Sequence, residues 1–118
     1  MQNKRVFVFS SNVEGRHTTG TALRAYEDHG AVYGEGYGLQ GSSFAIPVKD
    51  ENFKFLPLNK IKYYVDKMLR YAELNPDITF QVTQIGCGLG GYDEPDIAPM
   101  FKNAPMNCIL PVGWRNYK

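Results

Sequence analysis

The sequence predicts a small α/β protein in which a mainly parallel or mixed β-sheet carries helices on its faces. Short apolar or β-branched segments alternate along the chain with segments of helical pattern, which is the order that parallel strands joined by helices produce. The length of 118 residues suits one domain with one hydrophobic core. Because the chain shows no repeat, low-complexity run or linker, residues 1–118 are predicted to form a single domain.

Four segments are predicted as strands. Residues 6–9 and 43–47 are short apolar runs, residues 79–85 are rich in β-branched side chains, and residues 107–111 form a last apolar stretch. Runs of this length, bounded by polar residues or glycine, are typical of strands. Residues 31–42 show neither a strand nor a helix pattern and are expected to be irregular.

Two helices and one short helical segment are expected between these strands. Residues 21–29 are rich in helix formers, and Thr19 or Thr21 is the candidate cap. A second helix, capped by Asn59, is predicted because apolar residues recur after it at the spacing of one helix face. A short α-helix or 3₁₀ helix is expected after residues 93–95.

The charge balance excludes several classes of partner. The formal net charge is +1, whereas general nucleic-acid and membrane binders show a strong basic excess. The apolar run at residues 6–9 is too short for a signal-peptide core, and no apolar segment is long enough to span a bilayer. We therefore expect a cytoplasmic protein without a membrane partner, and the oligomeric state stays open.

Cysteine and histidine usage indicates neither a disulfide framework nor a metal site. Cys87 and Cys108 are the two cysteines, which is too few for a disulfide scaffold in a chain of this size. The two histidines and two cysteines fall at no recognised ligand spacing. Neither a metal nor a cofactor is predicted.

Glycine is the most informative residue type. Most of the 12 glycines fall in three clusters, at residues 15–20, 30–41 and 86–91. The middle cluster is typical of turns, but the other two follow predicted strands, and ligands of parallel sheets bind beyond the carboxyl ends of the strands. A glycine-rich turn that leads into a helix exposes backbone N–H groups suited to phosphate. Neither cluster matches the Walker A loop or the dinucleotide-binding fingerprint.

These loops supply the candidate ligand-binding residues. The predicted set is Ser10, Ser11, Asn12, Gly20, Lys49, Gly86, Cys87, Gly88, Leu89, Gly90, Gly91 and Tyr92. Structural alternatives stay open for several of them: the Asn12 side chain is also typical of a loop-bracing turn, Lys49 of a solvated lysine, and Tyr92 of a ring that covers the core.

An enzyme with this loop pattern would use Asn12, His17 and Asp96 to position water, while the phosphate loops stabilise charge. The alternative for His17 is an exposed loop residue that has no functional role. The alternative for Asp96 is a cap of the short helix. Catalysis by Cys87 is not predicted, because a nucleophilic cysteine needs a base and an oxyanion pocket, and no sequence feature ties these to it.

Four segments together resemble a known family. Residues 9–17, 43–49, 82–92 and 96–101 form a series similar to that of short macro-domain-like proteins of bacteriophages and bacteria, and the resemblance extends over nearly the whole chain. It implies a three-layer α/β/α fold that binds ADP-ribose or a related nucleotide. For a phage protein it implies the host cytoplasm as the location.

The resemblance also implies roles for particular residues. Ser11 and Asn12 match the asparagine-bearing first loop near the distal ribose, residues 86–92 match the loop that cradles the diphosphate, and Asp50 is the candidate for the acid that recognises adenine. The chain is shorter than a typical macro domain and lacks the consecutive asparagines and triple glycine of the hydrolytic members.

Three functions remain open. The leading hypothesis is a binding module for an ADP-ribose-like metabolite, which in a phage would act as a sponge for a nucleotide signal of antiviral defence. The second is a hydrolase of ADP-ribose derivatives or of ADP-ribosylated protein. The third is a protein-interaction module without a small ligand, suggested by an aromatic content of 14% and the expected exposure of Tyr37, Tyr92 and Trp114.

Overall fold

A five-stranded sheet forms the centre of the protein in the computed structural model, which describes residues 4–88 and 90–117. The strands are β1 (Lys4–Asn12), β2 (Gly38–Gln40), β3 (Ser43–Lys49), β4 (Ile78–Val82) and β5 (Cys108–Ile109). The helices are α1 (Gly20–Asp28), α2 (Leu58–Leu74), α3 (Glu94–Ile97) and a 3₁₀ helix (Ala98–Phe101). Every predicted strand and helix therefore has a counterpart.

The sheet is mixed. Its order is β2-β3-β1-β4-β5, with β1 parallel to both β3 and β4, β5 parallel to β4, and β2 antiparallel to β3. Parallel neighbours need long crossover connections, and the segments that contain α1 and α2 provide them. The predicted α/β class with a mixed sheet is confirmed.

β2 corrects the prediction that residues 31–42 are irregular. It pairs with β3 across a two-residue turn that begins at Gly41, where φ is 58°. A strand of three residues that starts with Gly38 is too short to show alternation. The glycine-bearing two-residue turn was the available signal, because such turns are typical of β-hairpins.

Side chains of the central strands alternate between two apolar clusters on opposite faces of the sheet. On one face Val8 and Ile46 pack with α2. On the other face Phe9 and Ala45 pack with α1. The buried face of α2 consists of Ile61, Val65, Met68 and Ala72. Burial of apolar surface, at roughly 25 cal/mol per Å², holds the helices on the sheet.

Several element boundaries differ from the predictions. β1 spans Lys4–Asn12 instead of residues 6–9, so Ser10, Ser11 and Asn12, which were expected in the following loop, belong to the strand. α2 has Pro57, not Asn59, at its N-cap, and the φ of −61° at Pro57 suits the entry to a helix. β4 ends at Val82 instead of residue 85. The Ile85 N–H donates to the Thr83 carbonyl at 2.8 Å, and this tight turn takes the chain out of the sheet.

The C-terminal segment is more buried than expected. β5 is shorter than the predicted 107–111, because the chain turns at Pro111, whose carbonyl accepts the Trp114 N–H at 3.0 Å. The expected exposure of Trp114 is wrong: its ring is fully buried against Phe101, and its Nε1 donates to Glu94 Oε1 at 2.6 Å. A buried indole needs such an acceptor.

The helices of the described residues include none that is both long and apolar enough to cross a lipid bilayer. The longest, α2, spans 17 residues and carries polar side chains on the face opposite its buried one.

Candidate ligand-binding site

A cavity of about 690 Å³ opens at the edge of the sheet where β1, β3 and β4 end. The register pairs Asn12 with Lys49 and Val8 with Val82, so the loops after these strands leave the sheet side by side. The cavity is lined by Ser10, Ser11, Asn12, Arg16, Thr19, Gly20, Thr21, Ala22, Val48, Lys49, Phe53, Phe55, Gln84, Gly86 and Cys87. Its volume falls in the range of about 300–1,000 Å³ that is usual for small-molecule sites.

Three polar side chains at the end of β1 are engaged in hydrogen bonds within the protein. Ser10 Oγ accepts the Gly86 N–H at 3.0 Å and so joins the end of β1 to the loop after β4. The Ser11 hydroxyl donates to a backbone carbonyl of the loop before β2. The Asn12 side chain donates to the Arg16 carbonyl at 2.9 Å and accepts the Arg16 N–H at 2.8 Å. Asn12 therefore has the loop-bracing role that was its structural alternative.

The N-terminus of α1 forms one wall of the cavity. Thr19 is at the N-cap, but its side chain makes no capping hydrogen bond. The first helical bond runs from the Leu23 N–H to the Thr19 carbonyl at 3.1 Å. The N–H groups of Gly20, Thr21 and Ala22 therefore precede the first intrahelical bond, and all three residues line the cavity. Unpaired N–H groups and the helix dipole favour an anion at such a point.

Two cationic side chains line the same cavity, each beside an aromatic ring. Lys49 Nζ lies 4.8 Å from the centre of the Phe55 ring, and the Arg16 guanidinium carbon lies 5.9 Å from that of Phe53. Both distances are within the cation–π range. Arg16 also pairs with Glu14 at 3.1 Å, but both side chains are about half exposed. This ion pair contributes little to stability, so a stronger anion can displace it.

The glycine-rich loop after β4 contributes Gly86 and Cys87 to the cavity wall. The other described residues predicted for this loop do not line it: Gly88, Gly90, Gly91 and Tyr92. The Tyr92 hydroxyl instead donates to the Leu56 carbonyl at 2.7 Å, and the ring packs on the core, as its structural alternative proposed. Leu89, also predicted as a ligand contact, lies outside the described residues.

Cys87 is surrounded by groups that oppose its ionisation. Burial raises the pKa of its thiol, and the carboxylates of Glu94, Asp93 and Asp96 raise the pKa further. The thiol form is therefore favoured at neutral pH, whereas the nucleophilic form of cysteine is the thiolate. The same carboxylates make this side of the cavity less favourable for an anion than the side at α1.

The three residues predicted for catalysis do not share one site. Asn12 lines the cavity, whereas His17 is only 1% exposed and lies edge-on to Phe9 with ring centres 5.3 Å apart. In the part of the chain that the structure describes, neither ring nitrogen of His17 has a hydrogen-bond partner, and the alternative of an exposed histidine is wrong. Asp96 accepts the Asp93 N–H at 3.3 Å, the helix-capping role that was its alternative.

Sequence reasoning missed part of the cavity wall. The residues not predicted as ligand contacts are Arg16, Thr19, Thr21, Ala22, Val48, Phe53, Phe55 and Gln84. Most of them lie in the loops that follow β1, β3 and β4, so the parallel topology was the available signal. Asp50, which the resemblance assigns to adenine recognition, does not line the cavity.

Known proteins and metal chemistry add no further assignment. Among residues 4–88 and 90–117, no group of three or more His, Cys, Asp and Glu side chains is placed to hold a metal ion. No family model, curated protein or solved structure matches this chain. The cavity itself is therefore the feature of this protein that indicates a function.

Proposed function

We propose that this protein binds a phosphorylated nucleotide of the ADP-ribose type in the cavity at the carboxyl edge of the sheet. The observation that carries the proposal is the N-terminus of α1, which has no side-chain cap and opens on a cavity that Lys49 and Arg16 also line. Backbone N–H groups at a helix N-terminus, supported by side-chain cations, are a recurrent way of binding phosphate.

The charges around the cavity support one orientation of this ligand. The phosphate is assigned to the N-terminus of α1, because N–H groups that precede the first intrahelical bond line the cavity there. Arg16 and Lys49 line the same cavity. The carboxylates of Glu94, Asp93 and Asp96 raise the pKa of the Cys87 thiol, so they would repel a phosphate from the part of the cavity wall at Cys87. The sugar of the ligand is accordingly assigned to the side at Cys87.

The macro-domain-like fold is part of this proposal. It is supported by the two apolar clusters, one on each face of the sheet, with α1 in one and α2 in the other. A role as a sponge for a nucleotide signal follows if the ligand is bound without turnover. In that case neither His17 nor Asp96 needs to reach the ligand.

The test of the proposal is calorimetric titration of the protein with ADP-ribose, NAD and AMP, followed by chromatography of each mixture. We expect saturable binding of at least one of these ligands, recovered intact. Altered ligand after incubation would identify a hydrolase in place of a sponge. If none of the three binds, the proposed function is wrong.

Lys49 provides a prediction specific to this cavity. Replacing Lys49 by Gln removes the positive charge but keeps most of the side-chain length, and we expect binding to weaken by about tenfold, the usual effect of losing one charge-assisted contact. Lys60→Gln is the matched control, because Lys60 is exposed on α2 and does not line the cavity. Equal affinities of the two variants would contradict the assigned position of the phosphate.

A further inference from the structure

Phe53 has an unfavourable backbone conformation at the rim of the cavity. Its φ is 60°, the single positive value at a non-glycine position among the residues that the structure describes. For a bulky side chain this conformation is a true outlier. Phe53 is also 45% exposed, so it is not a core residue.

The loop that carries Phe53 is held in place by its own hydrogen bonds. Asp50 Oδ1 accepts the N–H groups of Asn52 at 2.8 Å and Lys54 at 3.0 Å. In the backbone, Asp50 donates to the Lys54 carbonyl at 2.8 Å and accepts the Phe53 N–H at 3.0 Å. This tight loop fixes Phe53 in the left-handed region. Glycine or asparagine would satisfy the same geometry at lower cost, so the backbone of this loop does not require an aromatic residue here.

The ring of Phe53 lies where a ligand in the cavity can reach it. Phe53 and Phe55 both line the cavity, and one face of each ring carries a cation, Arg16 over Phe53 at 5.9 Å and Lys49 over Phe55 at 4.8 Å from the ring centre. A ligand with a flat ring close to an anionic group could stack on the aromatic side chain and pair with the cation. Strained residues concentrate at ligand clamps, where the strain serves to orient a side chain before binding.

We propose that Phe53 is the stacking surface for the base of the bound nucleotide. This inference rests on the proposed function and narrows the ligand class to intact nucleotides with an aromatic base. A ribose phosphate without a base is expected to bind more weakly than the nucleotide. The base contacts Phe53 in the loop after β3, and the phosphate binds at α1. Stacking of a base on an aromatic side chain is sequence-tolerant, so the ring contributes affinity for a base without selecting one base strictly.

The decisive experiment compares AMP with ribose 5-phosphate, which differ by the base, in wild-type protein and in Phe53→Gly. Glycine relieves the unfavourable φ, so the urea midpoint of unfolding is expected to stay the same or to rise. Affinity for AMP is expected to fall by about tenfold, the scale of one lost stacking contact, while affinity for ribose 5-phosphate is unchanged. If Phe53 had only a structural role, Phe53→Gly would not keep its stability and at the same time lose affinity for AMP alone.

Phe53→Trp supplies a second readout, because tryptophan keeps an aromatic surface and adds fluorescence at the site, whereas the natural Trp114 is buried. AMP should change this fluorescence and ribose 5-phosphate should not. Equal changes in affinity for both ligands in Phe53→Gly, or no change for either, would overturn the stacking role while leaving the proposed function intact. A wild-type protein that binds ribose 5-phosphate as tightly as AMP would also overturn it. Failure of the wild type to bind any nucleotide would overturn both.

Discussion

At the scale of single residues, close backbone contact shapes the first loop. Gly15 has a φ of 68°, and a Cβ atom placed there would overlap the backbone of Gly34 and Glu35. The Gly34 N–H donates to the Gly15 carbonyl at 2.9 Å, which joins this loop to the one before β2. Glycine at position 15 therefore serves loop packing and has no direct role at the ligand cavity, although its cluster suggested ligand contact.

The substitution Gly15→Ala should destabilise the protein strongly. We expect a loss of about 2–4 kcal/mol in the free energy of unfolding, because the new methyl group forces the two loops apart and also strains φ. Urea denaturation followed by circular dichroism measures the loss.

Gly34→Ala is the matched control for this substitution. Gly34 has a φ of 98°, but nothing lies within 4 Å of a Cβ atom placed there. Its substitution should cost only about 1 kcal/mol, from φ strain alone. Equal losses for the two variants would mean that contact between the loops does not matter.

At the scale of elements, a single amide holds the shortest edge strand in place. Asn107 precedes β5, and its Nδ2 lies 3.0 Å from the carbonyl of Ala72, 3.1 Å from that of Asn75 and 2.9 Å from that of Ile78. These carbonyls belong to the end of α2, the following turn and the start of β4. One side chain therefore links three segments that a two-residue strand could not hold by its own ladder.

Replacing the donor group of Asn107 by an acceptor should destabilise the protein more than removing the side chain. Asn107→Ala leaves the three carbonyls short of one donor, at a cost of about 1–3 kcal/mol. Asn107→Asp is nearly isosteric but turns a carboxylate towards them, so we expect a larger loss at neutral pH that is partly recovered at acidic pH, where the carboxyl can donate. Thermal unfolding at both pH values distinguishes the variants, and similar losses at pH 7 would contradict the donor role.

At the scale of the whole molecule, the C-terminal segment covers the sheet edge opposite β2. The Arg115 guanidinium donates to the carbonyls of Ala104 at 2.9 Å, Pro105 at 3.2 Å and Cys108 at 2.8 Å. Trp114, which precedes it, is fully buried beside Phe101. Contacts among residues 101–115 thus close the core around the Cys108 thiol.

Because the Cys108 thiol is buried, the stability of the protein falls as the pH rises in the alkaline range. Burial raises the pKa of the Cys108 thiol to about 11 from an ordinary value near 9, although Arg115 lowers it slightly. The unfolded thiol therefore loses its proton at lower pH than the folded one, and between about pH 9 and 11 the unfolded state binds fewer protons. Stability is fully present below pH 9 and falls as the pH rises, by about 2–3 kcal/mol at most.

The variant Cys108→Ala isolates this contribution, since other side chains also titrate at high pH. Urea unfolding under reducing conditions from pH 7 to 11 should give a steeper decline for the wild type than for Cys108→Ala. Parallel declines would show that the buried thiol does not contribute. Cys87 is present in both proteins, so its own titration cancels in the comparison.

Much of the fold could be predicted because its signals are local. The apolar spacing of α2 and the β-branched run of β4 depend on residues a few positions apart, and their alternation is sufficient to predict an α/β protein. The parallel topology then brings Ser10, Lys49 and Gly86 to one cavity. β2 and the burial of Trp114 were missed because neither a three-residue strand nor a terminal tail carries a periodic pattern.

The sequence by itself determined the elements other than β2 and which loops meet at the edge of the sheet, since periodicity and chain direction decide both. Only the tertiary structure decided how each side chain in those loops is used. It engages Asn12 in bracing its own loop, leaves the N-terminus of α1 without a side-chain cap, and fixes Phe53 in a conformation that its own propensity opposes. Such assignments depend on hydrogen-bond partners and neighbours that are close only after the chain has packed.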